Sequence, residues 1–320
     1  MKFDIVFCSL YLSNPNLVRA WIKYHHSIGV NHFYLFTLGK NVDYLIKPLE
    51  DLSDIVTIIN WPSVPFHPTK GSTFDPNGIW GHWTEICMQY YMAMIGIGKC
   101  EWIGNVSPDE FLVLEKDNTV RIFLDRYKEI GKGVERNRAK KYIKLKWNFA
   151  KMEGMTYKEY LNFDLNDFFK YDITINKNGP EYGNFMSNAY GKYFFKPQFE
   201  INIGSVHQPI ERPSYQYGTV KEDEYELVDE KIGSLYHFRY DRFNTKVPPG
   251  SGFAQSYFVP KAISIALQSM SPEGIDFSHR KIRWDEALEK GYKYEDKKSS
   301  TGELIIHNRI RELIEENKND

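Results

Sequence analysis

Cysteine is scarce in this chain. There are three cysteines in 320 residues, and Cys8, Cys87 and Cys100 are widely spaced with no CxxC pair. This spacing argues against a disulfide scaffold and a structural zinc site, and it favours a reducing compartment. The apolar run over residues 1–7 contains Asp4, so we expect a first strand there and not a signal peptide. The chain is therefore expected to be cytoplasmic.

Long apolar runs and an excess of either charge are also lacking. No run approaches the roughly 20 residues needed to cross a bilayer, so no transmembrane segment is predicted. The 41 Lys and Arg residues balance 42 Asp and Glu residues, which leaves a net charge of −1. Without a global basic field, neither nucleic acid nor anionic lipid is an expected partner.

Aromatic residues are abundant, at 16% of the chain. Most are expected in the core, because large rings bury much apolar area, but rings with a polar handle also suit binding surfaces. The candidates for stacking on a sugar ring are Trp80, Trp83 and Trp147. Core packing is the default interpretation for each of them.

The first sixty residues alternate between strand and helix patterns. Runs of β-branched and aromatic residues predict strands at 5–10, 32–37 and 55–59. Asn14 and Pro15 begin a predicted helix that ends at Gly29, and a second helix is expected over 42–52. Such alternation is typical of a parallel, doubly wound sheet, which predicts an α/β fold.

Later segments are less regular. Residues 62–81 contain four prolines and three glycines, which indicates a lid or a binding loop. Further strands are predicted at 102–106, 111–114, 140–149, 192–199 and 235–240. Further helices are predicted at 79–97, 119–130, 258–268, 278–291 and 304–316. The last helix carries an apolar stripe that should pack on the body of the protein, formed by Ile306, Ile310, Leu313 and Ile314.

Two adjacent carboxylates, Asp109 and Glu110, follow the predicted buried strand at 102–106, which Pro108 should stop. Ligands of open α/β sheets bind in the crevice outside the strand ends. Carboxylates in such a crevice, together with a phosphate-bearing substrate, hold Mg²⁺ or Mn²⁺ on a diphosphate. Asp109 and Glu110 are therefore the leading catalytic candidates, and a polar turn between two strands is the alternative.

Four segments, in the same order, resemble glycosyltransferase family 92 and its bacterial and viral relatives in the family 2-like superfamily. Residues 16–35, NLVRAWIKYHHSIGVNHFYL, resemble the opening E-W-v-x-Y-H-x-x-x-G-v-d-h-f-y-i-y. Residues 102–111, WIGNVSPDEF, match W-x-x-x-x-D-x-D-E-F. Residues 192–197, KYFFKP, with His207 downstream, resemble K-x-i-x-x-P … H, and residues 235–240, LYHFRY, resemble a late H-Y-x motif. The first two segments are specific together, whereas the last two are weak individually.

The resemblance implies a GT-A fold, with a mixed, mostly parallel central sheet flanked by helices and with C-terminal helices. It divides the chain into three parts. Residues 1–125 would be the nucleotide-sugar-binding half, residues 126–250 the acceptor-binding half of the same domain, and residues 251–320 a C-terminal helical region.

The resemblance also implies an activity. A sugar would pass from a UDP- or GDP-sugar to a glycan hydroxyl with inversion, in a bacterial or viral-host cytosol and with Mn²⁺ or Mg²⁺ as cofactor. Asp109 and His237 would hold the metal. The residues expected at the donor are Ser107, Asp109, Lys192 and His207. Asp43, which follows the second strand, could contact the base or ribose, or could simply be a helix N-cap.

Ser107 is the one important departure from the family pattern, because it replaces the first acid of D-x-D. A neutral hydroxyl is a poor substitute for a carboxylate on a divalent cation. Either Asp109 holds the metal with other ligands, or cationic side chains replace the metal. Alternation along an extended chain would point Glu110 away from Asp109, so Glu110 would orient the turn or touch the donor sugar.

Other assignments stay open at this stage. The carboxylate that deprotonates the acceptor could be Asp75, Glu85 or Asp241. A metal-dependent hydrolase is a competing class, but His25 and His26 are neighbours on a helix and cannot both face one metal. A catalytically inactive GT-A domain that binds a glycan or a partner protein is the other alternative, and Ser107 is its main support.

Overall fold

In the part of the chain that the structure describes, eleven strands join into one mixed sheet, and helices pack against it. The structure is a computed structural model that describes residues 3–11, 14–38, 42–61, 88–89, 91–93, 95–131, 140–177, 191–198, 225–238 and 303–318. Its strands are β1 Phe3–Leu10, β2 His32–Leu38, β3 Val56–Trp61, β4 Cys100–Asn105, β5 Glu110–Leu114, β6 Tyr142–Met152, β7 Ile173–Lys177, β8 Gly191–Phe195, β9 Tyr225–Leu227, β10 Gly233–His237 and β11 Glu303–Ile306. Its helices are α1 Pro15–Ser27, α2 Asp43–Ile46, α3 Val120–Asp125, α4 Tyr157–Leu161, α5 Asp167–Lys170 and α6 Arg309–Glu316, with a 3₁₀ helix at Lys47–Leu52.

Four parallel strands form the N-terminal half of the sheet, in the order β3, β2, β1, β4. Val6 in β1 lies opposite His32 on one side and Ile103 on the other. Runs of apolar residues suit such strands because both of their faces are covered. The predicted strands at 5–10, 32–37, 55–59 and 102–106 are confirmed to within two residues at each end.

Helix α1 begins and ends where the sequence predicts. The side chain of Asn14 accepts a hydrogen bond from the Leu17 N–H at 3.2 Å, and Pro15 occupies the first turn. Gly29 closes the helix at a φ of +102°, a left-handed conformation that glycine adopts without a Cβ penalty. The Asn14 amide also donates to the Tyr160 carbonyl at 3.0 Å, which fixes the start of α1 to a distant part of the chain.

Strand β6 connects the two halves of the sheet. It pairs antiparallel with β8 and β7, while β10 runs parallel to it. Strand β8 in turn pairs with β4, and β5 pairs antiparallel with β10. The predicted α/β fold with a mixed sheet is therefore confirmed, with consecutive parallel strands concentrated in the N-terminal half.

The C-terminal segment differs from the prediction of a helix over 304–316. Residues 303–306 form β11, which pairs antiparallel with β7, and α6 begins only at Arg309. The helical prediction is wrong for the first residues because the exposed edge of β7 gives their backbone hydrogen-bonding partners along one side. Ile310, Leu313 and Ile314 are buried as expected, whereas Ile306 is 59% exposed.

Several other predicted elements have different bounds in the structure or lie outside the described residues. The helix predicted at 119–130 is observed as the shorter α3, and the strands predicted at 140–149, 192–199 and 235–240 correspond to β6, β8 and β10 with different bounds. The loop at 62–81 and the helices at 258–268 and 278–291 lie outside the described residues. Of the predicted helix at 79–97, residues 88–89, 91–93 and 95–97 are described; all are helical except 96 and 97, which form a turn. Within the described chain, no helix has the length and apolar character required to cross a membrane.

His25 lies at the centre of the contact between α1 and β5. The rings of Trp21, Phe7 and Phe111 surround it at centroid distances of 4.9, 5.0 and 5.7 Å. Its Nε2 accepts the backbone N–H of Leu112 at 3.0 Å, and its Nδ1 lies 2.8 Å from the Trp21 carbonyl. Because a backbone N–H can only donate, the proton of the neutral imidazole is on Nδ1, which donates to that carbonyl.

This burial predicts an acid-sensitive fold. Burial lowers the pKa of His25 from its ordinary value near 6.5 to about 3, against the opposing effect of the bond to Trp21. At a pH between these two pKa values, the His25 imidazole is therefore protonated in the unfolded chain and neutral in the folded chain. The stabilisation is complete above about pH 6.5 and is lost as the pH falls toward 3, at about 1.4 kcal/mol per pH unit.

We expect His25→Gln to flatten this pH dependence, since glutamine keeps one donor and one acceptor but does not titrate. The free energy of unfolding should be measured by urea denaturation from pH 7 to pH 4.5 for both proteins. The wild-type curve should fall more steeply by up to one proton's slope, about 1.4 kcal/mol per pH unit. Parallel curves would show that His25 is not the buried neutral group described above.

Candidate active site

A tight turn follows β4 at the carboxyl end of the parallel strands. The Glu110 N–H donates to the Ser107 carbonyl at 2.9 Å, and the Ser107 N–H donates to the Glu110 Oε2 at 2.7 Å. The Glu110 side chain thus caps the turn in which its own backbone takes part. This double closure holds Pro108 and Asp109, the two residues between them, at the tip of the turn.

The register of β5 and β10 brings His237 to this turn. Glu110 lies opposite His237 in the antiparallel ladder, and the Phe238 N–H donates to the Asp109 carbonyl at 2.8 Å. The His237 Nε2 lies 3.1 Å from the Asp109 Oδ2. The imidazole is buried, with 3% of the side chain exposed, whereas 30% of the Asp109 side chain is exposed. The Asp109 carboxylate is therefore accessible to a ligand, and the buried His237 imidazole contacts it on the protein side.

These side chains form a cluster suited to a divalent cation. One ligand atom from each of Asp109, Glu110 and His237 lies within 4.8 Å of the other two. Ligand-to-metal distances of about 2.0–2.6 Å allow atoms this close to share one cation after small adjustments. Two carboxylates and one imidazole form a ligand set compatible with Mn²⁺, while Mg²⁺ prefers oxygen alone. The donor set thus fits the predicted metal.

Glu110 contributes differently from the expectation based on alternation. That expectation pointed it away from Asp109, but Asp109 belongs to the turn and only Glu110 belongs to β5. Alternation applies within an extended strand, so it does not separate these two carboxylates. The prediction of orientation is wrong for this reason. Glu110 is 1% exposed, and its role as a third candidate ligand was not predicted.

Trp147 contacts the cluster, and Lys192 lies on a strand next to the one that leads to it. In the β4–β8 ladder, Gly104 pairs with Phe194, so the same register brings the backbone of Lys192 level with Val106, the residue before the turn. Lys192 is 2% exposed. The Trp147 ring packs against the His237 ring at 4.6 Å, so Trp147 fixes the imidazole. Its predicted role in sugar stacking stays a prediction.

Of the remaining predicted site residues, two lie in the described structure and the others lie outside the described residues. Asp43 is exposed in the first turn of α2, and the N-cap of that helix is Val42. The strand that precedes it, β2, is two strands from β4 in the sheet, so these two strands lie about 10 Å apart. Ser107 contributes its backbone to the turn. The predicted residues outside the described chain are Asp75, Trp80, Trp83, Glu85, His207 and Asp241.

Comparison with known proteins identifies the family. The model of glycosyltransferase family 92 matches residues 3–306. The chain belongs to glycosyltransferase family 92, and the resemblance found in its sequence is confirmed. No curated protein matches it.

Two solved structures show a weak likeness. The 4-diphosphocytidyl-2C-methyl-D-erythritolsynthase from Anaerococcus prevotii DSM 20548 is 10% identical, covering 62% of this chain and 72% of its own, with a TM-score of 0.26. The glycosyltransferase GlyE of Streptococcus pneumoniae TIGR4 is 10% identical, covering 93% of this chain and 66% of its own, with a TM-score of 0.31. With TM-scores this low, no residue of either structure is matched to a particular residue of this chain.

If a cation binds at this turn, an acidic side chain at position 107 should strengthen its binding. Ser107→Asp restores the family's first acid next to Asp109, so Mn²⁺ should bind about tenfold more tightly, because affinity rises with ligand charge. The cation-free protein should lose stability from repulsion among three carboxylates. Titration calorimetry with MnCl₂ gives the affinity, and urea denaturation gives the stability.

Ser107→Asn is the matched control, since it has the same size as Ser107→Asp but no charge. Its Mn²⁺ affinity should equal that of the wild type. An unchanged affinity in Ser107→Asp would contradict a cation site at this turn.

Proposed function

We propose that this glycosyltransferase moves a sugar from a nucleotide-diphospho-sugar, a UDP- or GDP-sugar, to a glycan hydroxyl with inversion. The observation that carries the proposal is the partly exposed Asp109 carboxylate, whose Oδ2 lies 3.1 Å from the His237 Nε2 at the carboxyl end of the parallel strands. Ligands of open α/β sheets bind at this edge. Membership of glycosyltransferase family 92 supports the class of reaction.

Asp109 and His237, with Glu110, would hold a divalent cation. When bound, the cation would neutralise charge on the leaving diphosphate. Asp109, the more exposed of these ligands, would hold it with His237, whose ring is fixed by Trp147. Lys192 and His207 are proposed at the donor phosphates, where positive charge stabilises the departing group. Ser107 and Asp43 are proposed as further donor contacts, with Asp43 at the ribose or base.

Glu110 is unsuited to deprotonate the acceptor. It is 1% exposed, and its carboxylate already accepts the Ser107 N–H at 2.7 Å. A general base must reach the acceptor hydroxyl directly or through one water. Glu110 therefore stabilises the turn and would help to hold the cation. The candidates for the general base remain Asp75, Glu85 and Asp241. The cytosol stays the proposed location, which the buried free thiols of Cys8 and Cys100 suit.

A hydrolase is a weaker candidate. His25 bonds the backbone of Trp21 and Leu112, and His26 lies 3.0 Å from the Val30 carbonyl. Both are thus engaged in the structure of α1. Within the described chain, the cluster at Asp109 is the single group of acids and histidines close enough to hold a metal.

An inactive GT-A domain that binds a glycan or a partner is the second candidate function. The observation that favours it is Ser107 in place of the first acid. In such a protein the donor or the glycan would bind without turnover. The two candidates therefore differ in product formation and not in binding.

Asp109→Asn tests the proposal, because it removes the charge with little change in volume. UDP- and GDP-sugars should be incubated with glycan acceptors, with and without Mn²⁺, and the released nucleoside diphosphate measured. The wild type should release it with one class of donor in a Mn²⁺-dependent way. Loss of a cation ligand worth several kcal/mol should lower the rate on the order of 10²–10³-fold in Asp109→Asn.

Asp54→Asn is the matched control, because Asp54 is an exposed aspartate between α2 and β3. It should keep the wild-type rate. Full activity in a folded Asp109→Asn protein would remove Asp109 from the mechanism. Thermal stabilisation by a donor, without release of nucleotide for any acceptor, would favour the inactive binding domain.

A further inference from the structure

Strand β5 presents one backbone edge to β10 and the other to side chains. Among the described residues, β10 is the strand that pairs with it. The Phe238 N–H donates to the Asp109 carbonyl, and the Glu115 N–H donates to the Ile232 carbonyl. The backbone N–H and C=O groups of the odd-numbered residues along β5 therefore point toward β10. The backbone groups of Glu110, Leu112 and Leu114 point to the opposite edge, because neighbouring residues of a strand alternate.

Helix α1 supplies hydrogen-bonding partners to this second edge. The Trp21 Nε1–H donates to the Glu110 carbonyl at 2.8 Å. The Leu112 N–H donates to the His25 Nε2 at 3.0 Å, and the Tyr24 hydroxyl donates to the Leu112 carbonyl at 2.7 Å. The three side chains lie on one helix face because their spacing is i, i+3, i+4. They therefore act as a substitute for a neighbouring strand.

The far end of the same edge is held by α6. The Arg309 Nε donates to the Leu114 carbonyl at 2.8 Å. Edge carbonyls at Glu110, Leu112 and Leu114 thus each accept a side-chain donor. A buried backbone group that loses its partner costs free energy, so the edge resists displacement along its whole length.

The order of these partners specifies the register of β5. Trp21 offers a donor, His25 an acceptor and Tyr24 a donor, which match a carbonyl, an N–H and a carbonyl in turn. All three side chains are completely buried, so no water replaces a lost bond. A shift of the strand by one residue would place its side chains on the wrong face and would break all three bonds.

We infer that Trp21, Tyr24 and His25 are positioning residues that hold the Asp109–Glu110 turn against His237. The Trp21 bond ends on Glu110 itself, whose carboxylate closes the turn through the Ser107 N–H. The tryptophan is thus the member nearest to the cation ligands. The inference rests on the proposed function only where it says that the positioned carboxylates hold a cation.

Two variants each remove one of these bonds and keep an aromatic side chain at the position. Trp21→Phe deletes the donor to Glu110, and Tyr24→Phe deletes the donor to Leu112. Tyr11→Phe is the matched control, because the Tyr11 hydroxyl is also buried and donates to a backbone carbonyl, that of Leu45, at 2.8 Å. All three variants lose one buried hydrogen bond of the same kind, and Trp21→Phe also leaves a cavity. Its loss of global stability should therefore be the largest, and local protection must be compared relative to the global change.

Amide hydrogen exchange at Ser107, followed by NMR, distinguishes positioning from general stability. Ser107 donates to the Glu110 carboxylate, so its protection reports whether that carboxylate stays in place. Relative to the change in global stability, protection at Ser107 should fall about tenfold in Trp21→Phe. It should fall less in Tyr24→Phe and stay unchanged in Tyr11→Phe. Equal protection in all three variants would overturn the inference.

Titration with MnCl₂ separates this inference from the proposed function. If Mn²⁺ binds the wild type, its affinity should fall several-fold in Trp21→Phe and should stay at the wild-type value in Tyr11→Phe. An equal loss in both variants would overturn the positioning role. If the wild type binds no Mn²⁺ while Ser107 responds as described, the positioning role holds and the proposed cation is wrong.

Discussion

The site depends on one constraint, that β5 must be held at both of its edges. The backbone of β10 pairs with one edge and places His237 opposite Glu110. Side chains of α1 bond the other edge, where a second strand would otherwise be needed. Because α1 also packs between β1 and β5, the position of the acidic turn is tied to the parallel half of the sheet. A cluster that is assembled from distant segments is thereby fixed before any ligand binds.

Local sequence predicts the parallel half of the fold well and the other half less well. Each parallel strand is a short run of largely apolar residues, and β1 is followed by a helix with its own caps at Asn14 and Gly29. These signals lie within a few residues of the element that they define. Strand β11 was mistaken for part of a helix because Ile306 continues the spacing of Ile310 and Leu313. Its real partner is β7, more than a hundred residues away, and local spacing carries no information about that edge.

The site shows the same division. Asp109 and His237 were predicted together through a family resemblance, although 128 residues separate them in the chain. Composition and spacing alone do not bring them into contact, because the contact depends on the register of β5 and β10. Glu110 was oriented wrongly because the boundary between turn and strand falls between it and Asp109. The W-x-x-Y-H spacing at Trp21, Tyr24 and His25 was visible, but its role required the strand edge that it bonds.

The central claim is that the Asp109 cluster binds a divalent cation on behalf of the donor diphosphate. The most direct measurement is the anomalous diffraction of crystals grown with MnCl₂, collected near the manganese absorption edge. We predict a peak within about 2.0–2.6 Å of the Asp109 carboxylate and the His237 Nε2. A peak at another place, or an intact Asp109–His237 hydrogen bond with no peak beside it, would contradict the claim.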